Sequence, residues 1–77
     1  MNALNVTRGI LGDVNDDGYV NSIDAMLIAQ YDAWIIGADA LNMSVADVNG
    51  DGYVNSIDAM LIAQYDAWII DKFPVEQ

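Results

Sequence analysis

The sequence predicts a small all-α protein built from two copies of one loop–helix unit. Three observations support this. Residues 13–36 (DVNDDGYVNSIDAMLIAQYDAWII) recur as residues 47–70 with 23 of 24 positions identical, Asp16 against Gly50 being the one difference. Each copy opens with D-x-N-x-D-G and places another aspartate at its twelfth position, the oxygen-ligand spacing of a calcium loop that runs into a helix. The residues that follow carry an apolar pattern of helical period.

At 77 residues the chain is near the size where an apolar core alone is barely enough, and such domains borrow stability from disulfides or metals. It has no cysteine, which closes the first route, so the acidic loops offer the second. A formal charge of -10, with only Arg8 and Lys72 basic, argues against nucleic acid and anionic membranes as partners, because nothing replaces phosphate counterions. Six of the acids fall at loop-ligand positions, which gives much of that charge a metal-binding explanation. No apolar run approaches the ~18 residues of a membrane span, and no secretory signal pattern is visible at the N-terminus.

Residues 1–12 cannot supply a full helix before the first loop, since Thr7, Gly9 and Gly12 interrupt the period. The first loop covers 13–24. Its helix is expected over 22–36, with Asn21 as N-cap and Gly37 as the C-terminal stop. Residues 37–46 form a linker in which ADALN can make one helical turn. The second loop covers 47–58 and its helix about 56–70. The tail 71–77 ends the chain, with Pro74 excluding further helix. The whole is expected to form a single domain: repeat one 12–36, linker, repeat two 47–70, tail. Phe73 and Pro74 are the tail residues placed to stack against the N-terminal segment.

In the first loop Asp13, Asn15 and Asp17 stand at positions one, three and five. Gly18 provides the sharp turn at the sixth. Tyr19 is expected to ligate through its backbone carbonyl, Asn21 directly or through water, and Asp24 closes the site. Asp47, Asn49, Asp51, Tyr53, Asn55 and Asp58 repeat this set around Gly52. Val20 and Val54 occupy the apolar eighth positions, which typically pair across adjacent loops. Calcium prefers such hard oxygen donors, and the absence of histidine and cysteine argues against zinc, copper or iron. Two calcium ions are therefore expected.

On a wheel of ~100° per residue, Leu27, Ile28, Tyr31 and Ile35 share the side of Asp24, which faces the interior. Ile23, Met26, Gln30 and Trp34 form an adjacent stripe, repeated by Ile57, Met60, Gln64 and Trp68. The apolar arc of roughly 220° exceeds the ~100° that a surface helix requires, and a domain this small cannot bury it all. The second stripe is therefore expected to bind a protein partner, whereas Tyr31 and Ile35 are expected in the core.

The segments GDVNDDGYVNSIDAMLIAQY and ADVNGDGYVNSIDAMLIAQY combine four features: no entering helix, aspartate at the loop's end, Asn-Ser before its last two residues, and tandem duplication. Over residues 12–71 the chain thereby resembles a dockerin module, type I-like. The resemblance implies two loop–helix units joined by a linker helix and related by a pseudo-twofold axis. It implies a non-catalytic, calcium-dependent plug that attaches its parent enzyme or scaffold protein to a cohesin module in cellulosome assembly. The setting it implies is extracellular, within a larger secreted protein. The family's cohesin-reading positions fall on Ser22, Ile23, Ala29, Gln30 and Trp34, and on Ser56, Ile57, Ala63, Gln64 and Trp68. The familiar pattern has threonine after the serine and basic residues further along; here the patch is apolar and neutral, so an unusual cohesin is expected. Identical repeats also imply docking in two orientations about 180° apart. The rival reading is an EF-hand calcium sensor or buffer, which expects complete helix–loop–helix pairs and usually glutamate at the twelfth position. The remaining polar residues form no nucleophile or acid–base set of an enzyme.

Overall fold

Two asparagines start the two helices, and two tryptophans end them. The computed structural model describes residues 9–76. Helix α1 spans Ser22–Asp32 and helix α2 spans Ser56–Asp66. Asn21 and Asn55 are extended N-caps whose side chains accept the N–H of Ile23 and Ile57 at 3.0 Å. Asp24 and Asp58 complete capping boxes by accepting the N–H of Asn21 and Asn55 at 2.9 Å. The first orphan donors of each helix are thus satisfied by residues that are also loop-ligand candidates.

Both helices stop four residues before the expected boundary. Ala33 is the C-cap of α1, and Trp34 follows with φ +67°. The Trp34 N–H bonds to the Tyr31 carbonyl at 3.0 Å and the Ile35 N–H to the Gln30 carbonyl at 2.8 Å. This is a Schellman closure, which requires a left-handed residue just after the cap and usually takes glycine there. Repeat two does the same with Ala67, Trp68 at φ +65° and Ile69 bonded to Gln64. Gly37 is not the stop; it is the extended residue that leads into a 3-10 turn at Ala38–Ala40.

The reversal at Trp34 breaks the helical period, which corrects one core assignment. Ile35 and Ile69 are 68% and 69% exposed, while Ile36 and Ile70 pack on the core in their place. Tyr31 is partly buried against the core, as expected. The buried centre combines Ile28 and Ile62 from the helices with Val14 and Val48 from the loops. Leu41, Val45 and Ala46 of the linker and Phe73 of the tail close it. No strand or bridge occurs among the described residues.

The helices pack on one another, and the linker, with a second 3-10 turn at Met43–Val45, is sewn to the first loop. Gly12 N–H bonds to the Val45 carbonyl, and Asn42 N–H to the Val14 carbonyl, both at 2.8 Å. The tail serves the second loop: Val75 N–H reaches the Val48 carbonyl at 3.3 Å. Phe73 is buried and stacks on Tyr65, with ring centroids 4.8 Å apart. It also lies against Gly12, where a Cβ would stand 3.1 Å from the ring. Pro74 is exposed and opens a third 3-10 turn. A clasp between residues 72–77 and residues 1–11 falls mainly on residues 1–8, which lie outside the described residues.

The single repeat mismatch has a structural reason. Asp16 sits at φ +58° and accepts the Asn42 side-chain amide at 3.0 Å, joining loop to linker. Gly50 has φ +72°, and a Cβ there would meet Val75 at 3.3 Å. One position anchors a side chain; its counterpart leaves room for the tail.

Candidate metal loops and docking face

Each loop gathers three carboxylates. Oxygen atoms of Asp13, Asp17 and Asp24 lie within 4.8 Å of one another, as do those of Asp47, Asp51 and Asp58. Backbone donors aim them. Asp13 accepts the Gly18 N–H at 2.9 Å and the Asp17 N–H at 3.2 Å; Asp47 accepts those of Gly52 and Asp51 at 2.9 and 3.3 Å. Gly18 and Gly52 both have φ +90°, the left-handed conformation that the tight turn at the sixth position requires.

Asp24 is fully buried, with its second oxygen on the Val14 N–H at 3.0 Å; Asp58 is equally buried and bonds to Val48 N–H at the same distance. The Asn15 and Asn49 backbone N–H groups also bond to these carboxylates, and a carboxylate's roughly four lone-pair sites still leave one for a cation. Burial pushes both carboxyls above their ordinary 3.8, outweighing hydrogen bonds that act downward. Exposed Asp17 moves the other way, held down chiefly by the Tyr19 N–H. A buried carboxylate beside two others is costly unless a cation compensates it. The donor set is all oxygen, which suits calcium and does not suit soft-ligand metals.

The neutral loop residues are gathered with the carboxylates. Asn15 accepts the Asp17 N–H at 3.3 Å and Asn49 the Asp51 N–H at 3.2 Å. Tyr19 and Tyr53 expose their rings at the loop surface. Asn21 and Asn55 spend their side-chain oxygens on the helix caps.

The second stripe lies in solvent. Ile23, Met26, Ile57 and Met60 are about half exposed, and Trp34 and Trp68 are each 93% exposed. Ser22, Ala29, Ser56 and Ala63 are exposed, and Gln30 and Gln64 partly so. Beside each tryptophan is a shallow cleft that joins the two repeats. At the end of α1 it is lined by Tyr31, Trp34, Ile36 and Val54; at the end of α2 by Tyr65, Trp68, Ile70 and Val20. The two valines thus sit at the opposite repeat's helix end, a reciprocal exchange expected of pseudo-twofold symmetry.

The exposed left-handed tryptophans were not legible as such. An L-residue there costs about 1–2 kcal/mol, and an indole left in water returns almost nothing to the fold. Strain of this kind gathers at functional sites. The available signal was the Trp-Ile-Ile run: a helix continuing through it would have buried Ile35, and reading Gly37 as the stop concealed the earlier reversal.

Comparison with known proteins gives a consistent outcome. A family model for the dockerin type I domain matches residues 11–65. Two similar solved structures are complexes of the third cohesin of ScaC with the ScaB dockerin of Acetivibrio cellulolyticus, displaying a type I interaction. One carries an Ile-Asn to Ser-Ile mutation in the N-terminal helix and the other in the C-terminal helix. Each is 40% identical, covers 88% of this chain and 96% of its own, and superposes with a TM-score of 0.82. No curated protein matches the chain. The matched family and the shared two-helix architecture lead to one conclusion: the chain belongs to the dockerin type I family.

Proposed function

We propose that this chain is a calcium-dependent plug that docks onto a cohesin module and thereby anchors a larger parent protein in an extracellular, cellulosome-type assembly. One observation carries the reading. Both helices present the same solvent-facing stripe, from Ser22 and Ile23 to Trp34 and from Ser56 and Ile57 to Trp68, each ending in a strained tryptophan that the fold itself does not need. Exposed Trp, Met and Ile in one stripe are the residue types of an interface core. The partner-facing set is Ser22, Ile23, Met26, Ala29, Gln30 and Trp34, with Ser56, Ile57, Met60, Ala63, Gln64 and Trp68 as its duplicate. Ser-Ile opens both helices, the dipeptide introduced into one helix at a time in the ScaB variants.

Calcium would be held by Asp13, Asn15, Asp17, the Tyr19 carbonyl and Asp24, and by Asp47, Asn49, Asp51, the Tyr53 carbonyl and Asp58. Asn21 and Asn55, whose side-chain oxygens cap the helices, would complete the sets through water. It would neutralise carboxylates that the loops already crowd together. Because Asp24 and Asp58 are also the third helical residues of α1 and α2, metal charge and helix start are coupled through one side chain. No catalytic role is assigned to the module; the activity of its parent is a separate matter.

Calorimetry against a panel of cohesins, with calcium and then with chelator, tests the reading. Tight binding that chelator abolishes is expected; two calcium ions bound with no cohesin recognised would refute the docking role. Two orientations follow from the duplicated stripe. Replacing Ile23 and Trp34 together should leave binding nearly intact because the second copy substitutes for the first, and severe loss from that single-helix variant would exclude dual docking.

A further inference from the structure

The one repeat mismatch creates an Asn-Gly pair, Asn49–Gly50, where repeat one has Asn15–Asp16. We propose that Asn49 is a self-modification site: in the metal-free loop it deamidates through a cyclic imide, and calcium protects it. The chemistry needs a backbone nitrogen free of steric hindrance, an acceptor for its proton, and a donor on the amide oxygen under attack.

The second loop supplies all three. Gly50 has no side chain to block closure and is exposed to water. Its N–H points at the Asp47 carboxylate, Oδ1 at 3.0 Å. The Asn49 Oδ1 receives the Asp51 N–H at 3.2 Å, which polarises the carbonyl. Repeat one keeps the donor, from Asp17 to Asn15. There, however, the attacking nitrogen belongs to Asp16, bears a Cβ beside it, and is turned to the Asp13 backbone carbonyl at 3.3 Å, a far weaker base than a carboxylate.

The steps balance without any redox partner. The Gly50 nitrogen bonds to Asn49 Cγ and passes its proton by way of Asp47 to Nδ2. The Cγ–Nδ2 bond breaks and ammonia leaves. Water then opens the imide at either carbonyl, giving aspartate or its iso-aspartyl isomer. The isomer adds a methylene to the backbone in the tightest part of the loop, so the modified loop loses its metal site while repeat one keeps its own. Calcium protects by engaging both Asp47 and the Asn49 oxygen, which withdraws the base and fixes the amide. This half of the inference rests on the calcium reading above; the preference for Asn49 over Asn15 does not.

The test ages the full chain at mildly alkaline pH in chelator and in calcium and maps it by mass spectrometry, with calcium stoichiometry measured on fresh and aged protein. The expected result in chelator is a gain of one mass unit confined to the segment containing Asn49, with Asn15 unchanged. Calcium suppresses it, and the aged chain binds one ion fewer than the fresh chain. Gly50→Asp should abolish the reaction, and Asp16→Gly, which removes the Cβ but leaves the nitrogen on the Asp13 backbone carbonyl, should open Asn15 to the reaction at a slower rate than Asn49. Asp16 already holds φ +58°, so the loop backbone accepts a side chain in this conformation, and in Gly50→Asp the Val75 side chain must give way by a few tenths of an ångström. Equal conversion of Asn15 and Asn49, or none, overturns the site. Fresh protein that binds two ions yet ages equally with and without calcium overturns the protection, and undiminished stoichiometry after ageing overturns the consequence. Fresh protein that binds no calcium refutes the calcium reading alone, leaving the map to judge the site.

Discussion

Replacing Trp34 and Trp68 together by glycine should make this protein more stable and less able to bind. Both tryptophans occupy the left-handed position that closes a Schellman motif, at φ +67° and +65°. For an L-residue that conformation costs about 1–2 kcal/mol. Each indole is 93% exposed, so its removal forfeits little apolar burial. Glycine relieves the strain but adds about 0.5–1 kcal/mol of unfolded-state entropy. The net is a gain of about 0.5–1 kcal/mol per site. The two sites lie at opposite repeats' helix ends, so the gains should add to roughly 1–2 kcal/mol in the double variant. In a domain this size a single change should raise Tm by roughly 2–8 °C. Urea unfolding in saturating calcium, followed by far-ultraviolet circular dichroism, reads the stability. Binding to a cognate cohesin reads the function, where the double variant should lose at least about 2 kcal/mol, about thirtyfold in Kd. A double variant that is destabilised would refute the argument, since it would mean the indoles pack in the free protein. One that is stabilised but binds normally would remove the tryptophans from the interface.

Three further outcomes are expected. Phe73→Ala should cost about 3–5 kcal/mol, because the ring is buried between Tyr65 and Gly12; an equilibrium unfolding change below about 1 kcal/mol would show that the tail is dispensable. Asp58→Ala should abolish one of two calcium sites by calorimetry and also destabilise the chelated protein by about 2–4 kcal/mol, since two backbone N–H groups lose their acceptor while relief of the buried charge returns part of the loss. An unchanged chelated protein would make Asp58 a ligand only. For pH, the buried Asp24 and Asp58 carboxyls lie above 3.8, so their ionised forms oppose folding and that penalty disappears as pH falls through the raised folded value. The metal-free protein should therefore gain stability on acidification toward 3.8, more than an Asp24→Asn, Asp58→Asn double variant does. Protons compete with the metal in the same window, so calcium affinity should fall there; equal urea midpoints for the two proteins at each pH would refute the assignment.

Much of the protein was legible because its information is local. The D-x-N-x-D-G spacing and closing aspartate mark an oxygen-lined loop wherever they occur, and Asn21 and Asp24 cap a helix through bonds spanning three residues. Duplication then makes each expectation twice. The helix ends were less legible. Gly37 was the evident stop by composition, yet Trp34 reverses the chain, and Ile35 exchanges places with Ile36. A residue takes a left-handed turn against its preference only when contacts elsewhere over-determine it. Here Ile36 and Ile70 dock on a core shared by both repeats, with the opposite loop's valine beside them. Position sixteen of one loop and fifty of the other illustrate the same division. Spacings within one repeat were enough to specify two oxygen-lined loops, two capped helices and an excess of apolar surface. Which apolar residues remain in water, why Asp16 and Gly50 differ, and that Phe73 completes the core emerge from the packed fold alone, because they depend on segments distant in the chain competing for the same space.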